Sequence, residues 1–596
     1  MKKGEEDMPK PSKWVTAICL VGILLLASCG TKDTTTTPSS TTTSKPITTL
    51  PTATTTKNSD EPIYGGEFVF HWPNDFTGFD PAINIQMDCR AEYQVTDELI
   101  GENWAKGPAG SGETEWTVGF VGRFELETGS VAESWEVPDD HTLIFNIRKG
   151  VHWQNKAPVN GREFTADDAV WNINRNMTTK SAYLYGAFPP ALKPTVWEAV
   201  DKYTAKVTVP KEGLGLWLIM LGDFMWLVPP EVVNTYGDMT NWKNVVGTGP
   251  FILVDYVSNS SVTYTRNPDY WKEDPVRKGN QLPYLGKLKT LIISDTSTQQ
   301  AAIRSGKTDR IGELTHDDAT EMINSGKNLV YKKYLPSNCP ALVGRLDKQE
   351  LPFKDIKVRQ ALNMAINKQM IVDEYYAGDA VLFAYPYQQI SAYSPFFTPL
   401  NEQPQIVQDI FKYDPVAAKQ LLSEAGYPDG FTATVECNTV DGDYVSLLKN
   451  QLAEINVNLN IIPREAGVFL SITRGKTHKE MIYRAQPTHA PFRMLSGRLE
   501  SVDNHSYWET PYSREVYNFV NANLFDEKAI AAKLKEYGTY ELSQVWGVWL
   551  PCPYYYTMWW PWVKGYKGEV TMGWDNQTKF THYIWTDMAQ KKAMGY

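Results

Sequence analysis

The chain has 596 residues, 42% of them apolar by type and 21% charged, which gives it ample length for a large core and the balance of a globular protein. Its formal charge of -11, without any block of Lys or Arg, argues against a nucleic-acid partner, which would need a concentrated basic surface. None of the six cysteines stands in a C-x-x-C pair, so a zinc knuckle or a thioredoxin-type motif is not supported.

At the start, Lys2, Lys3, Lys10 and Lys13 surround an otherwise acidic patch, Glu5 to Asp7, so initiation at Met8 in place of Met1 would give a purely basic leader. The apolar run from Val15 to Ala27 suits a signal-peptide core and falls short of the ~20 residues of a membrane span. Leu26-Ala27-Ser28-Cys29 resembles the lipobox of bacterial lipoproteins. That resemblance implies cleavage after residue 28, diacylglycerol on the Cys29 thiol, and an extracytoplasmic protein anchored to the cell membrane, in a periplasm or on the outer face. Residues 29–60 then read as a lipidated tether: Thr, Ser and Pro dominate, and such a segment cannot bury enough apolar surface to offset its ordering entropy. A flexible chain of this length reaches roughly 30 Å. Four cysteines remain beyond it, Cys89, Cys339, Cys437 and Cys552, and if all pair they allow three connectivities.

The folded part begins near Gly65-Gly66, with a β-prone run Glu67 to Phe70. Thr142 to Arg148 alternates Leu143, Phe145 and Ile147 against Thr142, Ile144, Asn146 and Arg148, which predicts a half-buried strand. Thr165 and Asp168 stand at capping-box spacing before Val170, Trp171 and Ile173 and predict a helix start. From 355 to 368, Val358, Ala361, Leu362, Ala365 and Ile366 form one apolar stripe of a helix, leaving Lys357, Arg359 and Lys368 off it and solvated. Asp414-Pro415 supplies a cap with proline at the first helical position, and Gly426 the stop. Strand, helix and strand over Thr432–Cys437, Tyr444–Ile455 and Val457–Ile462 then predict a β-α-β unit and an α/β lobe.

Several stretches in this order resemble the signature of family 5 extracellular solute-binding proteins, the peptide/nickel-type receptors of ABC importers. They are Ala132 to Val137, Leu143 to Gly150, Phe164 to Val170, the turn Gly247-Thr248-Gly249-Pro250-Phe251, Arg266-Asn267-Pro268-Asp269-Tyr270-Trp271, and Ala301 to Asp309. Asp355 to Lys368 and the segment from Asp414 to Gly426 continue the likeness. The resemblance implies an α/β, two-lobed periplasmic-binding-protein-like fold with an enlarged first lobe and a ligand cleft between the lobes. On that pattern residues 61–335 form the first part of lobe I, 336–547 lobe II, and 548–596 return to lobe I.

In peptide-binding members a lobe II aspartate pairs with the ligand's ammonium. The corresponding stretch here is Tyr483-Arg484-Ala485-Gln486-Pro487, with Gln486 in place of the acid. Glutamine lacks the charge for an ammonium, whereas an arginine can hold a carboxylate bidentately, so the expected ligand is neutral and polar or bears a carboxylate, with Tyr483, Arg484 and Gln486 beside it and Arg493 and Arg498 further along the loop. Strand alternation divides the aromatic run 554–562 between two faces, of which at most one lines the cleft; Tyr555, Trp559 and Trp560 are its candidates, suited to a peptide side chain or a sugar face. Thr77 and Phe79 occupy the position of the family's early ligand-touching loop.

Gly306-Lys307-Thr308 and Gly475-Lys476-Thr477 lack the earlier glycine of a P-loop, and no G-x-S-x-G or H-E-x-x-H occurs. His478, His489 and His505 lack helical ligand spacing, so neither a metal nor another cofactor is expected, and no catalytic residue is assigned. The sequence thus predicts a monomeric, membrane-anchored substrate-binding component of an ABC importer that hands a peptide, an oligosaccharide or another small solute to its permease subunits. A lipid-anchored secreted enzyme acting on peptides or glycans, or a solute-sensing receptor, is the alternative.

Overall fold

The computed structural model describes residues 61–83, 90–118, 123–186, 188, 190–487, 499, 504–573 and 578–596. Cys29, the tether, Cys89, His489, Arg493 and Arg498 lie outside them. Among the described residues no helix is long and apolar enough to cross a membrane.

Three sheets gather the N-terminal half and the C-terminal tail. The first strand, Glu67–Trp72, runs parallel to Lys287–Ile292, which pairs antiparallel with Ser261–Arg266 and through it with Phe251–Val257. The second sheet, antiparallel, has the order Ala132–Asp139, Thr142–Ile147, Thr204–Thr208, Val196–Asp201. As its alternation requires, Leu143, Phe145 and Ile147 are buried, and the helix Ala166–Thr178 packs on the same sheet. The Asp168 carboxylate accepts the Thr165 N–H at 2.9 Å and also holds Arg162 bidentately at 2.6 and 2.7 Å, so the residue that starts the helix also ties it to the preceding loop.

The third sheet places Tyr555–Trp559 between Arg310–Leu314 and Val330–Tyr334. Asp309, at the end of the Ala301–Asp309 motif, fastens this region: its fully buried carboxylate accepts the Val69 N–H at 2.7 Å, Trp562 Nε1–H at 2.7 Å and Lys591 Nζ–H at 2.8 Å, joining the first strand to the tail. The turn Gly247 to Phe251 is likewise structural. A Cβ on Gly247 would meet the Val95 carbonyl oxygen at 2.0 Å, and the Gly249 N–H donates to that same oxygen at 2.8 Å. Asn267 donates to Gly249 O, while Tyr270 and Trp271 donate to Asp97, so the two neighbouring motifs brace one another.

A fourth large sheet has five strands in the order Val457–Arg464, Phe431–Asn438, Met481–Pro487, Asn338–Gly344, Val548–Trp549; the first three are parallel, and the last two pair antiparallel. The chain enters it directly from Val330–Tyr334 and leaves it after Trp549 for Tyr555–Trp559. The helix Gly442–Ala453 connects Phe431–Asn438 to the edge strand Val457–Arg464, and Ala466–Gly475 leads back to Met481–Pro487 on the other side of the first strand. Asp414 caps the helix Pro415–Glu424 through the Ala417 N–H at 2.9 Å, with Gly426 at φ +90° behind it.

The helix Ile356–Met364 buries Val358, Ala361 and Leu362, and Ala365 and Ile366 continue the stripe just past its end. Two of its basic neighbours are not solvated as expected. Arg359 is half-buried and donates to the carbonyls of Phe353, Lys354 and Gln544. Lys368 is 1% exposed, its Nζ hydrogen-bonded to Asn363 O and its ammonium over the Phe411 ring.

Candidate functional site

In an open α/β sheet the crevice for a ligand forms beyond the carboxyl ends of parallel strands, where successive connections depart in opposite directions. That point lies beyond Phe431–Asn438, flanked by Val457–Arg464 and Met481–Pro487. Asp441 ends the single turn, Thr439–Asp441, between Phe431–Asn438 and the helix Gly442–Ala453. Tyr444, on that helix, meets Tyr483 of the neighbouring strand with ring centroids 5.6 Å apart, and Tyr375 and Tyr376 join it at 5.0 and 5.9 Å.

Facing this group is a contribution from the three-stranded sheet. The Tyr555 phenol is an electrostatic neighbour of Tyr376, Tyr483 and Asp441, and its ring lies 6.4 Å from Tyr334. Glu313, exposed and at φ +57° in a bulge of Arg310–Leu314, lies near enough to act on both Tyr334 and Tyr555. Burial raises the Tyr483, Tyr444, Tyr376 and Tyr555 phenols above their ordinary range, and burial does the same to the Asp441 carboxyl. The phenols are therefore neutral hydroxyls, able to donate and accept, on broad aromatic faces; two carboxyl groups from separate sheets stand at the edges.

The residues singled out in the sequence divide between this place and others. Tyr483 and Tyr555 come together in it. Arg484, one residue on, takes the opposite face of its strand, with Nη1 2.6 Å from His505 Nε2. Gln486 is fully buried, and among the described residues its Nε2 donates to Arg484 O at 3.4 Å. Trp559 is 5% exposed and packs edge-on against Tyr566 at 4.8 Å. Trp560 stacks on Trp562 at 4.5 Å and donates its Nε1–H to Ile303 O, as a core residue does. Beyond Tyr555, which is only partly buried, both faces of this central strand are thus covered. Phe79 is buried against Phe76 and Tyr256, and Thr77 is exposed beside it.

Sequence reading missed Tyr376, Tyr444, Asp441 and Glu313. The carboxyl-end rule, applied to the β-α-β pattern it did recognise, leads directly to Asp441 and Tyr444; nothing local marks Glu313. His478 and His505 are buried with ring centroids 6.3 Å apart, and burial pushes His478 down to about 4, a neutral ring. His505 Nε2 lies 2.6 Å from the Arg484 guanidinium and 3.2 Å from Thr473 O, so this nitrogen is engaged within the protein. Cys437 and Cys552 carry buried free thiols. A surface pocket of about 210 Å³ lined by Phe383, Tyr387, Phe396 and Lys535 shares no residue with the tyrosine group.

The family model for bacterial extracellular solute-binding proteins, family 5, middle region, matches residues 128–491. The chain belongs to that family. Among curated relatives, the heme-binding protein A of Haemophilus influenzae is 29% identical over 381 residues, covering 59% of this chain and 61% of that protein. The glutathione-binding protein GsiB of Salmonella typhimurium is 26% identical over 362 residues, 59% of this chain and 64% of the relative. The chain is thus matched to about three-fifths of the length of these relatives. Among solved structures, the periplasmic binding protein DppA from Helicobacter pylori, in complex with the peptide STSA, superposes with a TM-score of 0.69 at 22% identity, covering 88% of this chain and 98% of that one. NikA from Brucella suis, in complex with Fe(III)-EDTA, gives 0.65 at 19% identity, covering 88% and 100%. The fold of this family 5 chain is accordingly the two-lobed α/β binding-protein fold, and the family is one of extracytoplasmic solute-binding proteins.

Proposed function

We propose that this chain is the substrate-binding component of an ABC importer, that it captures its solute between lobes and passes it to permease subunits, and that it performs no chemistry on it. The observation that carries this reading is the tyrosine and carboxyl group assembled from two separate sheets, on a chain of the family 5 fold. Contacts made to a ligand by Tyr376, Tyr444, Tyr483 and Asp441 on one side and by Tyr555 and Glu313 on the other exist together only when the lobes are closed, so binding energy shifts the population toward the closed form. Residues 61–335 with the tail form lobe I and 336–549 lobe II: the sheet connectivity puts Val548–Trp549 in the five-stranded sheet, so the return to lobe I comes just after the expected position 548. The solute is peptide-like or another small polar molecule, with donors for the two carboxyl groups and apolar or ring surface for the tyrosines. Arg484, Gln486, Trp559, Trp560, Thr77 and Phe79 support the site and do not touch the solute. Cys29 carries the lipid that holds the monomer at the membrane.

Native mass spectrometry of the full chain, purified from its host without added ligand, tests this. A co-purifying small molecule that leaves on unfolding is expected, and its occupancy should fall at least tenfold in Tyr483→Ala and in Tyr555→Ala. A species retained equally by both variants would overturn the site, and substrate turned over to product on incubation would overturn the function.

A further inference from the structure

A second, unrelated group of acids lies inside the first lobe. Glu102 ends the short strand Ile100–Glu102, and Glu127 begins its partner Glu127–Gly129; in the antiparallel register the two face each other directly. Like charges opposite one another weaken a strand pair. Asp223 follows the wholly buried helix Leu214–Gly222, at the negative end of its dipole, where an anion is again disfavoured. One carboxylate oxygen from each of the three residues lies within 4.8 Å of the others, and the residues are 6%, 8% and 0% exposed.

One buried cation, Lys579, acts on all three acids and relieves this charge only in part. Among the described residues Glu102 and Glu127 form no ion pair, and Glu102 Oε1 and Glu127 Oε2 are buried without a hydrogen-bond partner. Lys579 approaches the group but is hydrogen-bonded to Glu98, a fourth buried acid. Asp97, a fifth, is satisfied by Thr248, Tyr270 and Trp271. Three carboxyl groups thus converge on one point, and Glu102 and Glu127 each bring to it a buried oxygen with no hydrogen-bond partner among the described residues.

We propose that Glu102, Glu127 and Asp223 form a structural binding site for a divalent cation of the calcium type. Oxygen-only ligands select a hard cation over zinc or copper. Three carboxylates, each able to bind through both oxygens, offer up to six ligand atoms in the flexible geometry calcium accepts, whereas magnesium prefers to keep several waters, for which a fully buried site has little room. The ion would bind the strand pair to the helix end within lobe I. The rival state has Glu102 and Glu127 protonated, as burial and repulsion from Asp223 would otherwise hold them.

The test uses the full chain stripped with EGTA. Calcium titration by calorimetry should show one site, weakened at least tenfold in Glu127→Gln and unchanged in Asp140→Asn, which alters the exposed acidic group Asp139, Asp140 and His141. Hydrogen exchange of the wild-type chain supplies a readout that does not depend on the variant folding: calcium should slow exchange at 100–102, 127–129 and 223, and magnesium at equal concentration should not. Absence of calcium uptake, equal affinity in Glu127→Gln, or protection confined to other segments would overturn the proposal.

Discussion

Lys368 shows how a single residue departs from what its helix pattern implies. Its position off the apolar stripe is a sound reason to expect solvent, but the helix Ile356–Met364 ends before it, and the chain turns inward over Phe411. Burial lowers its ammonium from the ordinary range to about 7. In the unfolded chain the same group stays protonated up to its usual value, so between pH 7 and about 10.5 the unfolded state binds more protons and stability rises with pH. Below pH 7 the full cost of a buried charge is borne, offset in part by the bond to Asn363 O. Lys368→Met should therefore raise stability at pH 7 by about 2 kcal/mol, and the advantage should shrink as the pH approaches 10. Urea midpoints of both proteins at pH 7 and 9.5 check this; an unchanged difference between the two pH values would show that the ammonium is hydrated.

At the scale of elements, most of the family-like stretches turn out to be joints of the fold. The turn Gly247 to Phe251 is an example: Gly247 is needed because the Val95 backbone passes where a side chain would start. Gly247→Ala should destabilise the chain by about 1–3 kcal/mol, the cost of overpacking against rigid backbone, with no effect on the solute bound per folded molecule. Thermal melts and native mass spectra together separate those effects, and a stable variant that has lost its solute would place this turn in the site instead. The same contrast explains what was legible. Strand alternation at Thr142–Ile147, the capped helix after Thr165 and the β-α-β unit are encoded in neighbouring residues and could be read. The aromatic run near 555 could not be sorted from alternation alone, because Tyr555–Trp559 is a central strand and its sheet neighbours, Arg310–Leu314 and Val330–Tyr334, lie far away in the sequence. For the same reason Tyr483 and Tyr555 could be named separately, but their meeting with Tyr376, Tyr444 and Asp441 could not be foreseen.

For the whole molecule, the passage between sheets matters most, since the proposed function needs two lobes that move as bodies. The chain crosses from Val330–Tyr334 to Asn338–Gly344 and returns between Trp549 and Tyr555, and a short strand pair, Ala380–Val381 with Cys552–Pro553, lies at the return. Asp379 stands beside that pair, 5% exposed. It accepts the Tyr556 O–H at 2.9 Å, pairs with Lys333 and lies 3.2 Å from His316 Nδ1, while its own carbonyl accepts the Tyr554 N–H. One side chain from the five-stranded side is thus gripped by three from the three-stranded side, directly at the crossings. Removing the charge of a paired acid leaves its cation unmatched, and because Lys333 is partly exposed the cost falls below the about 3–5 kcal/mol of a fully enclosed pair. If the group acts as the fastening of a hinge, Asp379→Asn should speed amide exchange at least tenfold in segments 335–337 and 550–554 while the interiors of the three- and five-stranded sheets keep their protection. Exchange accelerated equally throughout both sheets would mean that Asp379 supports the fold as a whole, and the lobes would then have to pivot on some other joint.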